Sequence, residues 1–441
     1  MFLKDLVEQY YTLWTQDYWR DELFTIFLSQ KSYYEIIVLT AKDFNPPLFY
    51  FLTKIVINLF GYSTFYLRQI PLTFHILSAV VAYKFARLFF SKLSAVIYSF
   101  LFLSNPFLLF YAFELRPYSA IVFLGLLSCY FYFSKNKIGF IVASVIGLYT
   151  HTYYLIFYGM FFVYQLKNIL HKYKEQVLFI KVSDLFTQLK PLILKPYLVL
   201  PLIMYLPWVP VLILQTISKS KGFWLEKSGI HEIFTSIATY LAGLNYIPLY
   251  LSLVIIVIYL VIILIWANLI KPKILYISLV FGIVPIAISV LVSLFTPIFT
   301  VRYLIFVVPF LFLFFIGILD GLQKTAKIIC ICLLFVISSI YLYVDYYAFV
   351  NPTNYRYGYL AYTVLNNTEE KPVQIITTEP IHFFGIRYYF EREGIKRENI
   401  KFFNLDKTFP HFIGDVILEE NEIINRYPKD TKYIYLGKED Y

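Results

Sequence analysis

The sequence predicts a mainly α-helical protein. It reads as a polytopic transmembrane helical bundle of about ten spans, with interfacial helices ahead of it and a small C-terminal α/β domain. Three observations carry this. Hydrophobic residues make up 59% of the 441, and charged ones only 15%, where a soluble globular domain carries about 25% charged residues. From Arg68 onward, apolar runs of near ~20 residues follow one another, separated by short loops bearing Lys and Arg. After residue 350 the pattern changes to short strand-like runs alternating with helical ones.

The net charge of +10 does not indicate nucleic acid. That partner needs basic residues clustered on one soluble face, and here they are spread through short loops, which is a topology signal. Membrane lipid is the partner the composition implies. Cys129, Cys330 and Cys332 all lie in apolar runs and read as packing residues, not as disulfide or metal ligands. The 42 Tyr and 45 Phe supply lipid-facing and helix-packing surface.

In chain order, residues 1–68 form an N-terminal external segment. The start lacks a basic stretch followed by an apolar core, so no signal peptide is expected. From Asp21 to Arg68 the chain is too charged to span a bilayer and too apolar for a soluble loop. Short helices on the membrane surface are expected there, with carboxylates at the lipid–water boundary. An acid so placed is a site candidate.

Residues 69–350 form the transmembrane domain, with apolar segments at 70–90, 93–112, 117–134, 138–151, 153–167, 191–214, 247–270, 274–295, 302–320 and 326–345. Lys135 and Lys137 precede 138–151, and Lys167, Lys172 and Lys174 follow 153–167. Both ends therefore face the cytoplasm, and the chain must turn at Thr150-His151-Thr152. Lys84, Arg87, Lys92, the loop 167–195, Lys271, Lys273, Lys324 and Lys327 mark the inner side. Lys219, Lys221 and Lys227 run against the rule, with Glu226 and Glu232 close by. This bookkeeping starts the chain outside, so either the N-terminal part inserts unusually or an expected first helix is missing. The expected location is the plasma or inner membrane, with the site and the C-terminal domain external or periplasmic.

Residues 351–441 form the small external α/β domain. Tyr355 to Asn366 reads as helix, Val373–Thr378, Ile400–Leu405 and Lys432–Leu436 as strands, and 381–392 and 412–426 as helices between them. A mostly parallel sheet follows. A glycine-rich phosphate loop is lacking, so no nucleotide site is expected.

The outward-facing charges are Asp21, Glu22, Asp43, Arg68, Glu114, Arg116, His151 and Arg302, each at or beside a predicted membrane boundary. Each has a plainer alternative. Asp21 can cap a helix, Glu22 can sit in a structural salt bridge, and Asp43 can serve the turn before Asn45-Pro46-Pro47. Arg68 and Arg302 can anchor helices at the boundary, Glu114 and Arg116 can pair with other segments, and a lone His151 can be structural. Their convergence on one face favours chemistry. A base that takes a proton from an acceptor hydroxyl, with cations that hold a departing phosphate, is what sugar transfer from a lipid phosphate needs. The rival reading is a lipid-linked oligosaccharide flippase or transporter, which puts ionisable groups near mid-membrane, whereas these span centres carry almost none.

At these residues the chain resembles the GT-C class of polytopic glycosyltransferases, in its protein O-mannosyltransferase-like (family 39-like) branch. Trp19-Arg20-Asp21-Glu22 is similar to the acidic pair of that family's first external loop. Asp43-Phe44-Asn45-Pro46-Pro47-Leu48 is similar to its Asp-x-His-Pro-Pro-Leu motif, with Asn45 where the family has His. Tyr66-Leu67-Arg68-Gln69-Ile70-Pro71 resembles the following arginine segment, and Glu114-Leu115-Arg116-Pro117-Tyr118 the Glu-x-Arg-x-Tyr element. Tyr149-Thr150-His151 and Val301-Arg302-Tyr303-Leu304 are weaker echoes. The family's helix ahead of the acidic pair is not seen here.

The resemblance implies an inverting transfer of one sugar from a polyprenyl-phosphate donor to a protein, lipid or glycan acceptor on the external face. It implies Asp21 as base, Glu22 orienting it or binding acceptor, Asp43 shaping the pocket, and Arg68 on the donor phosphate. No cofactor is certain. A divalent metal is compatible with clustered carboxylates but not indicated, because Asp21, Glu22 and Asp43 form no recognisable ligand pattern.

Overall fold

The computed structural model describes residues 11, 13–172, 195–219, 229, 231–243, 249–330, 332, 356–368, 374–429 and 431–438. The chain falls into two compact units. One comprises Met1–Ile70, Glu114–Arg116 and Tyr346–Tyr441, and the other Pro71–Phe113 and Pro117–Asp345.

The first unit opens with α1 (Arg20–Gln30), α2 (Tyr33–Lys42) and α3 (Leu48–Phe60), and takes in the first turns of α4 (Thr64–Ala86). Ser32 starts α2 through a reciprocal cap. Its hydroxyl accepts the Glu35 N–H at 3.2 Å, and the Glu35 carboxylate accepts the Ser32 N–H at 2.8 Å. Pro46 and Pro47 cannot extend α2, so the chain turns and restarts as α3, which ends at Gly61 with φ +76°. From Glu22 to Ser29, α1 is buried throughout. By contrast α2 and α3 expose Tyr34, Ile37, Leu59 and Phe60, the one-sided apolar surface of helices that lie along lipid.

The same unit holds the C-terminal α/β segment. Its four strands, β1 (Gln374–Thr377), β2 (Ile400–Phe403), β3 (Ile423–Ile424) and β4 (Tyr433–Leu436), pair in the order β3-β2-β1-β4, all parallel. Helices Tyr357–Asn366 and Phe383–Arg392 flank β1 in sequence. The helix expected over 412–426 is not formed. Gly414 takes φ +106°, which breaks any helix there, and the stretch becomes three single 3₁₀ turns leading into β3. Glu422, 1% exposed, joins Arg387 at 3.1 Å and Arg397 at 2.9 Å and ties this stretch to the Phe383–Arg392 helix.

The second unit is helical. Among the described residues, five helices of the chain are long and apolar enough to cross a membrane: α4, Pro196–Ile217, Leu249–Trp266, Pro272–Ser293 and Val301–Gly321. The chain is an integral membrane protein. Val301–Gly321 is the inner helix, with 83% of its apolar window buried, against 18% for Leu249–Trp266. The latter, at a mean hydropathy of 3.0, presents its side chains outward as a lipid-facing helix does. Phe157, Phe281 and Phe310 pack ring to ring at 5.3–5.8 Å in the core.

Three spans depart from a plain helix. The run expected at 93–112 bends by 59° between Lys92–Ser104 and Pro106–Ala112. Pro106 has no N–H to continue the ladder, and the Asn105 side chain caps the new helix by accepting the Leu108 N–H at 3.0 Å. Pro272–Ser293 passes through a π turn at Leu279–Ile283 just before Pro285, and Val301–Val307 is 3₁₀. Lys137–Thr150 and the helix from Tyr154 are two elements broken at His151, as expected. Lys137–Thr150 is shorter than a full span, as is Tyr118–Phe133. Most of the run expected at 326–345 lies outside the described residues.

Candidate active site

The first unit brings together six of the eight expected site residues: Asp21, Glu22, Asp43, Arg68, Glu114 and Arg116. All but Asp21 are at least nine-tenths buried. Their partners divide them into two sets with different roles.

Glu22 and Arg68 hold the architecture. Arg68 is fully buried. Its Nε and Nη2 donate to the two Glu22 carboxylate oxygens at 3.2 and 2.9 Å. Nη1 donates to the carbonyls of Trp14 (3.1 Å) and Gln16 (2.6 Å), and Nη2 also to that of Asp17 (3.3 Å). The guanidinium plane lies 5.0 Å from the Tyr18 ring. All five N–H donors of an arginine are thereby engaged within the protein. Glu22 in turn accepts the Trp19 N–H at the start of α1 (3.3 Å) and the Leu115 N–H (3.0 Å). The salt bridge weighed as the plainer alternative for Glu22 is therefore present, and the expectation that Arg68 contacts a donor phosphate does not fit this geometry. Arg68 gathers residues 14–17, α1 and, through Glu22, the 114–116 segment.

Asp21 sits one residue earlier in the first turn of α1, and its side chain keeps 13% exposure. Oδ1 accepts from Arg20 Nε at 3.0 Å and Nη2 at 2.9 Å. Its backbone carbonyl accepts from Arg116 Nη1 at 3.3 Å, and the same nitrogen donates to the Thr25 hydroxyl at 3.2 Å. Arg116 thus holds the first turn of α1 by its main chain. Asp43 closes the C-terminal end of α2, with its N–H on the carbonyls of Leu39 (3.0 Å) and Thr40 (3.2 Å).

Tyr50, on α3, is 1% exposed. Burial pushes its phenol pKa up, and the charges of Arg116, Asp43 and Asp21 act on it as lesser influences. Asn45, ahead of Pro46 and Pro47, is itself 5% exposed. Acids and an arginine held in one unit can deprotonate a hydroxyl and balance anionic charge.

His151 and Arg302 lie in the second unit. The His151 ring packs 5.3 Å from Tyr303 and 6.1 Å from Tyr118, and its Nδ1 accepts the Tyr153 N–H at 3.1 Å. The Arg302 guanidinium lies 5.4 Å from the same Tyr303 ring. The two weaker motif echoes therefore share one aromatic neighbour.

Two residues were not picked out from the sequence. Tyr50 reads as one more aromatic in an apolar helix; its only signal is its place three residues after Pro47. Asp17 lies just ahead of the motif. Its half-buried carboxylate accepts the Gly358 N–H at 2.7 Å, and desolvation raises its pKa above the usual carboxylate value against the pull of the Gly358 N–H, Tyr389, Arg68 and Arg392. Among the described residues no group of three or more His, Cys, Asp and Glu side chains is arranged to hold a metal ion.

No protein-family model and no curated protein sequence matches the chain. Solved structures do. ArnT from Cupriavidus metallidurans bound to undecaprenyl phosphate superposes with a TM-score of 0.56 at 12% identity, over 96% of this chain and 89% of that one. ArnT from the same organism in the apo state gives 0.53 at 12% identity, over 91% and 86%. At such identity the likeness is one of fold, and it runs nearly end to end. The chain therefore shares the polytopic helical fold of ArnT.

Proposed function

We propose that the protein is a membrane glycosyltransferase that moves one monosaccharide from a polyprenyl-phosphate carrier to a hydroxyl acceptor at the external face of the membrane, with inversion. The fold shared with an ArnT bound to undecaprenyl phosphate supports the donor class. The Arg116 guanidinium set on the first turn of α1 beside Asp21, with Nη1 3.3 Å from the Asp21 carbonyl and 3.2 Å from the Thr25 hydroxyl, supports the chemistry, and it is the observation on which the reading rests.

Asp21 is the base. Of the adjacent acids, Glu22 has its oxygens taken up by Arg68, Trp19 and Leu115, whereas Asp21 retains exposure. It removes the acceptor proton as the acceptor oxygen attacks the anomeric carbon from the side opposite the phosphate. The new C–O bond forms as the bond from that carbon to the phosphate oxygen breaks, and the electron pair leaves with the polyprenyl phosphate. Asp43 shapes the acceptor side. Arg116 carries the positive charge assigned to the phosphate, in place of Arg68. Glu114 supports Arg116, whose N–H meets the Glu114 carbonyl at 2.6 Å, and His151 orders the aromatic ring group around Tyr303.

The test is to incubate purified protein with a panel of labelled polyprenyl-phosphate monosaccharides and measure free lipid phosphate released together with label on an acceptor. Release coupled to transfer for at least one donor is expected. No release from any donor, by protein shown to be folded, contradicts the reading.

A further inference from the structure

The C-terminal α/β segment has no part in the proposed chemistry, yet it touches the N-terminal segment at three levels, all within the first unit. Ahead of α1, the Asp17 carboxylate accepts the Gly358 N–H at 2.7 Å, and the Tyr18 N–H donates to the Tyr389 hydroxyl at 2.8 Å. On the first turns of α1, Phe24 lies against Gly414, where an added Cβ would stand only 2.6 Å from the ring. Further along, the Arg387 guanidinium covers the Phe27 ring at 4.2 Å, and Phe384 packs on that ring at 5.8 Å.

These contacts are built for close approach. At Gly358 a Cβ would press on the Asp17 oxygens at 3.3 and 3.4 Å and on Tyr389 at 3.3 Å. Gly414 adopts φ +106°, a conformation L side chains avoid. Arg387 is itself held by the buried Glu422 at 3.1 Å. The face of α1 that carries Phe24 and Phe27 is thus seated on the tail.

We propose that the C-terminal segment is a positioning element for the reaction: through Gly358, Tyr389, Gly414 and Arg387 it fixes the placement of α1 and so of Asp21. This rests on the glycosyltransferase reading for its catalytic part, while the placement of α1 can be read without turnover. A base displaced by about 1 Å can cost about a hundredfold in rate, so seating α1 should show in kcat and leave the donor KM alone.

The experiment uses the full chain in detergent or nanodiscs, with Asp17→Ala and Gly414→Ala as the test variants. Asp17→Asn keeps an acceptor for the Gly358 N–H. Tyr435→Phe, which removes a hydrogen bond to Thr378 at the sheet edge, is the control within the tail. Hydrogen exchange over residues 20–30 and kcat and KM with labelled polyprenyl-phosphate monosaccharides are measured on each. Asp17→Ala and Gly414→Ala should speed exchange over 20–30 and lower kcat at least about tenfold with donor KM within about twofold. Asp17→Asn should recover most of the loss, and Tyr435→Phe should match wild type.

Unchanged exchange over 20–30 in both test variants overturns the proposal, whatever the rate. So does faster exchange with unchanged kcat. If Gly414→Ala fails to fold, Asp17→Ala decides alone. Faster exchange in a protein whose wild type transfers no sugar would uphold the seating of α1 and remove the enzyme reading instead.

Discussion

Glu22 and Arg68 form a buried two-bonded ion pair, with Nε and Nη2 of the arginine on separate carboxylate oxygens at 3.2 and 2.9 Å. Both residues are at most 2% exposed. Breaking such a pair leaves a bare charge in a dry interior, at a cost of about 3–5 kcal/mol. Arg68→Ala and Glu22→Gln should each lower the yield of folded protein and the midpoint of thermal unfolding in detergent. Arg68→Lys should rescue little, because an ammonium cannot span both oxygens and three carbonyls. A normal unfolding midpoint with a selectively raised donor KM in Arg68→Ala would return Arg68 to the phosphate.

Tyr50 is buried on α3 in the same unit as Asp21, Asp43 and Arg116. Tyr50→Phe keeps the ring packed against Phe24, 6.3 Å away, and removes only the buried hydroxyl. Stability should change by less than about 1.5 kcal/mol, while transfer falls about tenfold. Equal turnover by the two proteins would remove the phenol from the site.

Asp17 gives a pH dependence of known sign. Burial raises its pKa in the folded protein, opposed by the Gly358 N–H, Tyr389, Arg68 and Arg392. The folded state therefore holds this proton more tightly than the unfolded chain. The resulting stability is fully present below the ordinary value of 3.8 and is lost as pH rises through the raised value. Compared with Asp17→Asn, whose side chain does not titrate, wild type should gain unfolding midpoint as pH falls through that window. A gap between the two that is flat with pH contradicts the assignment.

In the second unit, Gly147 leaves room for Tyr154. A Cβ there would lie 2.3 Å from the ring, whose hydroxyl pairs with Ser128 at 2.6 Å in the core. Gly147→Ala should destabilise by about 1–3 kcal/mol through overpacking, read as a lower midpoint. An unchanged midpoint would show that the ring has space to move.

Much of this was legible in the sequence where a local pattern carries the information. The helix break at His151 and the parallel sheet follow from charge parity and alternation. The sequence was less informative where long-range partners decide. Nothing near Arg68 tells that the carbonyls of Trp14, Gln16 and Asp17 fold over its guanidinium, so a structural arginine reads like a phosphate ligand. In the stretch 412–426, Gly414 could serve a helix end or a turn, and its contact with Phe24, some 390 positions away along the chain, selects the turn. Asn105-Pro106 is a local signal for a broken span, but inside an apolar run it is outweighed by hydropathy. Asp17 has its partner at Gly358 and no motif of its own.

The central claim is that Asp21 takes the proton from the acceptor. The most direct measurement is single-turnover release of free lipid phosphate from a labelled polyprenyl-phosphate sugar by Asp21→Asn beside wild type, at matched unfolding midpoints. Because Asn cannot accept the proton, the rate should fall by at least about a hundredfold with donor binding retained. Turnover by Asp21→Asn at the wild-type rate would contradict the account.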